Sequence, residues 1–104
     1  MPVFILTYRP PIDYEVGTPD GMAAWTAWFE SMGPDLEDIG KPVGESTVVG
    51  NCGDDLRPLG GYSLIRADDL AAATSVAKGC PFVDLGGGVE VGRLLDLPGA
   101  PTSS

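Results

Sequence analysis

A single carboxylate among valines is the first candidate for chemistry in this chain. Glu90 alternates with Val89 and Val91 in a stretch whose pattern is typical of a β-strand. Burial there would desolvate the carboxyl and raise its pKa toward a range that suits proton transfer. The alternative is an ion pair with Arg66 or Arg93, or an exposed edge position, and this is the commoner outcome because structural ion pairs also perturb pKa values.

The sequence contains no histidine, which narrows the chemistry available to it. Histidine-based triads, histidine proton shuttles and most transition-metal sites are excluded, so acid–base steps must use carboxylates, tyrosines, lysines or thiols. The pairs Asp54-Asp55 and Asp68-Asp69 lack the spacing of a calcium loop. No metal and no cofactor is predicted.

Side chains near the ends of predicted elements are candidates for binding a small molecule. Arg9 follows Tyr8 at the end of the first strand, where clefts form, and its guanidinium suits a carboxylate or phosphate. A surface ion pair with a nearby acidic residue is the alternative for Arg9. Trp28 lies at the edge of an apolar helical face, where it either lines a pocket or packs in the core. The complete ligand-binding set is Tyr8, Arg9, Trp28, Tyr62, Arg66, Glu90 and Arg93.

Neither cysteine has the setting of a nucleophile. Cys80 follows a predicted helix C-terminus, whose dipole disfavours a thiolate, so a buried and inert thiol is predicted. Cys52 lies in an acidic loop, which disfavours a thiolate in the same way. Both are expected to be reduced thiols in a chain without a cysteine framework.

The first half of the chain is predicted to fold as strand, helix and strand. Residues Pro2 to Tyr8 are apolar on both sides, which indicates a strand covered on both faces. A helix is predicted from about Thr18 to Gly40, with an interruption at Gly33-Pro34. A weaker edge strand is predicted over residues 42–50. The inner face of the helix is formed by Met22, Trp25, Phe29, Met32 and Leu36.

The stretch from Gly60 to Leu70 combines a turn, a strand and a helix cap. Tyr62, Leu64 and Arg66 share one face of the strand, which is expected beside the first strand and parallel to it. Asp68 is the predicted cap of the second helix. A last strand is predicted from Val89 to Leu97. The inner stripe of the second helix is Leu70, Ala73, Thr74 and Ala77.

The order of these elements, βαββαβ, predicts a ferredoxin-like α+β fold. Strands 1 and 3 are central in a four-stranded antiparallel sheet, and both helices cover one face. Because strand 1 is apolar on both sides, the other face is predicted to pack on the same sheet of a second subunit, as in a dimeric α+β barrel. One domain is expected over residues 1–97, followed by a disordered tail over 98–104.

The charge of the chain restricts its partners. With a formal charge of −9 and no basic cluster, it is not expected to bind nucleic acid or anionic membranes. The apolar run Val3 to Leu6 is too short for a signal-peptide core or a membrane span. Cytoplasmic residence is therefore expected.

An ordered set of short motifs resembles the YCII-related (DGPF-type) family of small bacterial proteins, which belong to the dimeric α+β barrel class. The matching positions run through nearly the whole chain. They are Trp25 to Phe29, Asp38 to Gly40, Gly60 to Tyr62, Lys78 to Pro81 and Gly88 to Val91. The Asp-Gly-Pro-Phe motif itself is absent, and there is no histidine for the His–Asp pair proposed in catalytic members. The resemblance implies the fold, a dimer and a small-ligand cleft between sheet and helix.

These residues support three functional hypotheses. The preferred one is a homodimeric accessory or sensing protein that binds a small molecule near Tyr8, Trp28, Tyr62 and Glu90. The second is a cofactor-independent isomerase or lyase in which Glu90 transfers a proton and Tyr62 or Arg93 stabilises an enolate. The third is an acidic module that binds a basic protein.

Overall fold

The computed structural model describes residues 1–15, 17–53 and 57–96. The tail predicted over 98–104 lies outside the described residues. A short 3₁₀ turn, Gly33–Asp35, links the first helix to the second strand. The strands and helices within the described ranges are β1 (Val3–Arg9), α1 (Pro19–Met32), β2 (Leu36–Asp38), β3 (Gly61–Arg66), α2 (Leu70–Ala77), α3 (Pro81–Asp84) and β4 (Gly88–Arg93).

The strands form one antiparallel sheet in the order β2-β3-β1-β4, which confirms the predicted ferredoxin-like α+β fold with β1 and β3 at its centre. The β1–β3 register runs from Val3 opposite Arg66 to Tyr8 opposite Gly61. The expected parallel direction of this pair is therefore wrong. The α1 crossover leaves β2 running in the same direction as β1, and β3 then reverses and inserts between them.

Helix α1 begins and ends at residues with clear local signals. The Thr18 hydroxyl accepts a hydrogen bond from the Gly21 amide at 3.2 Å, and Pro19 occupies the first turn. The helix ends at Gly33, whose φ of 56° lies in the left-handed region that favours glycine. The sequence predicted both the start and the interruption.

The chain after Gly33 differs from the prediction. Residues 36–38 form the edge strand β2 instead of continuing the helix, because Pro34 breaks the helical ladder and Leu36 pairs with Ile65 of β3. The strand predicted over 42–50 does not form, and Pro42 makes only an isolated bridge with Gly61. The predicted edge strand therefore exists, but it lies earlier in the chain.

The second half of the chain places two helices over the sheet. The cap of α2 is Asp69 and not Asp68, since the Asp69 carboxylate accepts from the Ala72 amide at 2.8 Å. Ala73 and Ala77 are buried as predicted, whereas Leu70 is exposed. Helix α3 was not predicted, although Pro81 occupies its first turn, a position that proline favours.

One face of the sheet carries the core and the other does not. On the helix-covered face, Phe4, Leu6 and Tyr8 of β1 are buried in a single apolar cluster with the inner residues of all three helices. On the uncovered face, Val3, Ile5 and Thr7 remain half-buried. Strand registry places Tyr62, Leu64, Arg66, Glu90 and Gly92 on that same uncovered face.

The helices of the described ranges are all short. None of them has both the length and the apolar character needed to cross a membrane.

Candidate functional site

A cavity of about 320 Å³ lies between α1 and α2, on the helix-covered face of the sheet. Its apolar wall comes mainly from Trp28, Met32, Ile65 and Val76. Polar groups join that wall, and the full lining is Trp28, Ser31, Met32, Asp35, Ile65, Arg66, Ser75, Val76 and Gly79. An apolar wall with a few polar groups is the usual composition of a small-molecule site.

The indole of Trp28 is fixed in place on one side of this cavity. Its Nε1 donates a hydrogen bond to the Val76 carbonyl of α2 at 3.2 Å. A Cβ atom at position 79 would lie 3.1 Å from the same nitrogen, so Gly79 leaves the space that the indole occupies. Helix α1 thus supplies the ring, and α2 with the turn after it sets the ring's orientation.

The charged and hydroxyl groups of the cavity differ in how much of their bonding capacity is used. The Ser31 hydroxyl donates to the Trp28 carbonyl at 2.5 Å. The Nε of Arg66 pairs with the Glu37 carboxylate of β2. Among the described residues, no ion pair or hydrogen bond engages the Asp35 carboxylate. The Asp35 carboxylate can therefore accept a hydrogen bond from a bound polar molecule, and the bonding capacity that Ser31 and Arg66 do not use remains available to it.

An aromatic cluster lies on the other side of Trp28. The Tyr8 ring contacts Trp28 and Trp25 edge to face, with centroids 5.9 and 4.9 Å apart. Phe82 of α3 completes the enclosure at 6.5 Å from Tyr8. Tyr8 is 5% exposed, and burial raises the pKa of its hydroxyl well above the ordinary value.

The sequence-predicted site residues do not come together as one pocket. Tyr8 and Trp28 lie on the helix-covered face, within contact of each other. Arg9, Tyr62, Arg66 and Glu90 project from the opposite face, as strand registry requires, although Arg66 also borders the cavity. The sheet therefore separates the two groups that were predicted to share one pocket.

Arg93 lies apart from both groups, at the end of β4. It borders a second cavity, of about 540 Å³, beside the amino terminus of β1. Val3 and Leu64 of the uncovered face also border this cavity. Arg93 is not among the residues that line the first cavity.

Glu90 does not have the environment predicted for a proton-transfer group. Its side chain is 74% exposed, and its nearest cationic partner is Arg9 at 3.8 Å. Of the alternatives considered from sequence, pairs with Arg66 and Arg93 are not among the ion pairs of the described residues, whereas an exposed position on an edge strand is confirmed. Because the carboxylate remains in water, the desolvation on which its acid–base role depended is absent from the folded chain.

Several residues of the cavity were missed from sequence. Asp35 was assigned to the helix expected to continue to Gly40 after its interruption, Ser75 was not included in the inner stripe of the second helix, and Gly79 was not singled out as a lining residue. The signal available for Gly79 was its place one turn after Val76, whose carbonyl the indole reaches. Across the described ranges, no three Cys, Asp or Glu side chains converge in a way that would hold a metal ion.

Cys80 is fully buried at the start of α3, and both cysteines are free thiols. Burial raises the pKa of the Cys80 thiol to about 11, although the amides of Phe82 and Val83 oppose that rise. The predicted burial of this thiol is confirmed. Cys52 is exposed.

The buried thiol is expected to make the protein less stable at alkaline pH. The thiol titrates near 9.0 when unperturbed and at about 11 in the fold, so its contribution to stability is complete below pH 9 and is lost as pH rises through 11. We expect the free energy of unfolding to fall by about 2–3 kcal/mol across that interval, since each pKa unit is worth about 1.4 kcal/mol. Urea unfolding at stepped pH measures this fall.

Two alanine variants isolate the source of the alkaline loss. Cys80→Ala is expected to remove most of it, whereas Cys52→Ala is expected to keep it in full, because Cys52 is exposed. The buried Tyr8 hydroxyl, whose pKa is also raised above its ordinary value of 10.0, adds a further loss that begins near pH 10, so the two variants are best compared between pH 9 and 10. Equal pH profiles for the two variants would contradict the assignment to Cys80.

Comparison with known proteins supports the fold alone. No family model and no curated protein matches the chain. One solved structure with a similar fold is 5-chloro-2-hydroxyhydroquinone dehydrochlorinase (TftG) from Burkholderia phenoliruptrix AC1100, in complex with 2,5-dihydroxybenzoquinone. The likeness has a TM-score of 0.61 at 20% identity, and it covers 89% of this chain and 93% of TftG.

Proposed function

We propose that this protein is a cytoplasmic homodimer of the YCII-related class that binds a small molecule without covalent attachment. The binding site is the cavity between α1, α2 and the sheet. The observation that carries this proposal is the cavity itself, with the Trp28 indole on one wall and unengaged polar groups among its lining.

The volume of the cavity limits the size of the ligand. About 320 Å³ is at the lower end of the range of small-molecule sites, which extends from about 300 to 1,000 Å³. A compound of one or two rings fits such a space. The indole and the Met32 and Val76 side chains provide apolar contact, and Ser75 and Asp35 provide polar contact.

The structural neighbour supports a small-molecule role for this fold. TftG is a dehydrochlorinase and has 2,5-dihydroxybenzoquinone bound. The motifs shared with YCII-related proteins, such as Lys78 to Pro81, point to the same class. Binding is proposed here in preference to proton transfer, because Glu90 is exposed and lies on the other side of the sheet from the cavity.

The uncovered face of the sheet supports the dimeric part of the proposal. Val3, Ile5 and Leu64 form a half-buried apolar row across β1 and β3. Monomeric proteins seldom leave such a surface open, and a two-fold axis would let each copy cover the other.

Ser75→Phe is expected to close the cavity. Ser75 is exposed and lines the cavity, so a phenyl ring fits at its entrance with little cost to the fold. Acetophenone, ethylbenzene and indole are suitable probes, and NMR of the Trp28 indole N–H follows their binding. We expect the variant to weaken binding at least about tenfold, the loss that results from excluding one buried ring.

The matched control is Ala71→Phe, which adds the same ring to α2 one turn earlier. Ala71 is exposed and does not line the cavity, so this variant is expected to bind the probes as the wild type does. The proposal fails if no probe shifts the Trp28 resonance, or if Ser75→Phe and Ala71→Phe bind equally well.

A further inference from the structure

Both helices that border the cavity present their C-terminal ends to it. The last turn of α1 contributes Trp28, Ser31 and Met32 to the lining. The last turn of α2 contributes Ser75 and Val76. The C-terminal end of a helix carries a partial negative charge from its carbonyl groups, and neither of these two last turns contains a basic residue to offset it. The backbone alone therefore makes the potential in the cavity negative.

The charged side chains at the cavity leave an excess of negative charge. Asp35 lines the cavity, and its carboxylate has no ion-pair partner among the described residues. Arg66 also lines the cavity, but the Glu37 carboxylate neutralises it. Lys78 caps the C-terminus of α2, yet it is exposed and does not line the cavity. Together with the net charge of −9, this arrangement favours a cation over an anion.

The hydrogen-bonding groups of the α1 wall favour a ligand that donates. The Trp28 indole N–H is a donor, but it is already used by the Val76 carbonyl. The Ser31 hydroxyl donates to the Trp28 carbonyl, which leaves its lone pairs free to accept. Asp35 follows Ser31 by about one helical turn, and its carboxylate only accepts. This wall therefore presents acceptors to a bound molecule.

We propose that the cavity selects an organic cation, a compact ring compound with a protonated amino group. This inference rests on the proposed function and deepens it, because it names the class of ligand. The ring packs against Met32 and Val76, and the ammonium group donates a hydrogen bond to the Asp35 carboxylate. The Trp28 indole on the same wall can add a cation–π attraction, which is stronger for tryptophan than for other aromatic side chains.

Benzylammonium and ethylbenzene test this inference as a matched pair, since they have nearly the same shape and differ in one charged group. Binding of each to the wild type is measured at neutral pH by calorimetry and by NMR of the Trp28 indole N–H. We expect the wild type to prefer benzylammonium by about fivefold, the effect of one charged hydrogen bond at a partly exposed site. Phenylacetate, which has the opposite charge, is expected to bind more weakly than ethylbenzene.

Two variants that each remove one negative charge locate the source of the preference. Asp35→Asn keeps the size of the side chain, and we expect it to lower the preference for benzylammonium to about twofold or less while its affinity for ethylbenzene stays the same. Glu45→Gln is the control, because Glu45 is exposed and borders neither cavity. It is expected to keep the wild-type preference.

The outcomes separate the two proposals. If neither benzylammonium nor ethylbenzene binds the wild type, the proposed function fails and this inference with it. If ethylbenzene binds as tightly as benzylammonium, the cavity remains the binding site and only its selectivity for a cation is overturned. An equal preference for benzylammonium in Asp35→Asn and Glu45→Gln would overturn the role of Asp35.

Discussion

Gly40→Ala is expected to lower the free energy of unfolding by about 3–5 kcal/mol, the range of a backbone clash combined with a left-handed residue. Gly40 has a φ of 71°, and a Cβ atom there would lie 1.8 Å from the Tyr62 carbonyl oxygen. That oxygen belongs to the central strand β3 and cannot move without disturbing the sheet. The backbone at position 40 must therefore move away from β3. This movement breaks the hydrogen bond that the Tyr62 amide donates to the Lys41 carbonyl.

Two other glycines separate the contributions to this effect. Gly50 has a φ of 79° with no atom within 4 Å of its virtual Cβ, so Gly50→Ala is expected to cost only about 1 kcal/mol. Gly44 has neither a left-handed φ nor an atom close to its virtual Cβ, so Gly44→Ala is expected to change stability by less than about 0.5 kcal/mol. Urea unfolding at neutral pH ranks the three. If Gly40→Ala and Gly50→Ala lower the free energy of unfolding equally, the backbone at position 40 does not lie against the Tyr62 carbonyl of β3.

The parts of the fold that the sequence predicted are those with strong local signals. Strand β1 is largely apolar and is followed by a proline pair, and β3 follows a glycine turn. The alanine stripe of α2 identified its buried side because Ala73 and Ala77 are one turn apart. These features depend on a few neighbouring residues, which the sequence displays directly.

The chain after α1 shows where local signals were insufficient. Leu36 fits the apolar arc of a helix, and it fits equally the inner position of a short strand. Pairing with Ile65, nearly thirty residues later in the chain, decides between the two. Gly33-Pro34 marked the break in the helix, yet no local pattern specifies that the next residues form a strand.

The site was harder to predict than the fold, because it depends on which face each strand residue occupies. Tyr8 and Arg9 are adjacent in a strand and so project to opposite sides, which alternation alone establishes. Assigning Tyr62 and Glu90 to the face of Arg9 required the registry across three strands. The cavity required the approach of two helices, which brings Val76 to the Trp28 indole.

Ile5→Glu is expected to convert the proposed dimer into a monomer. Ile5 lies at the middle of the uncovered face, opposite Leu64 on one side and Gly92 on the other. In a two-fold interface the substitution enters twice, and each buried carboxylate without a partner costs several kcal/mol. Light scattering is expected to give twice 10.8 kDa for the wild type and 10.8 kDa for the variant.

Thr26→Glu is the control for added negative charge, because Thr26 is exposed on α1, away from the uncovered face. It is expected to remain dimeric. The Tm of a dimer rises with protein concentration, so the wild type and the control should show that dependence and Ile5→Glu should not. A monomeric wild type would remove the proposed interface.

The interface would also account for the residues that the cavity leaves unused. Arg9, Tyr62 and Glu90, none of which lines the cavity, lie on the uncovered face around the apolar row. Aromatic and arginine side chains are enriched in protein interfaces, and charges at the rim of an interface govern partner selection more than affinity. Arg9→Ala is therefore expected to weaken the dimer far less than Ile5→Glu, since the Arg9–Glu90 pair is long and its carboxylate is exposed.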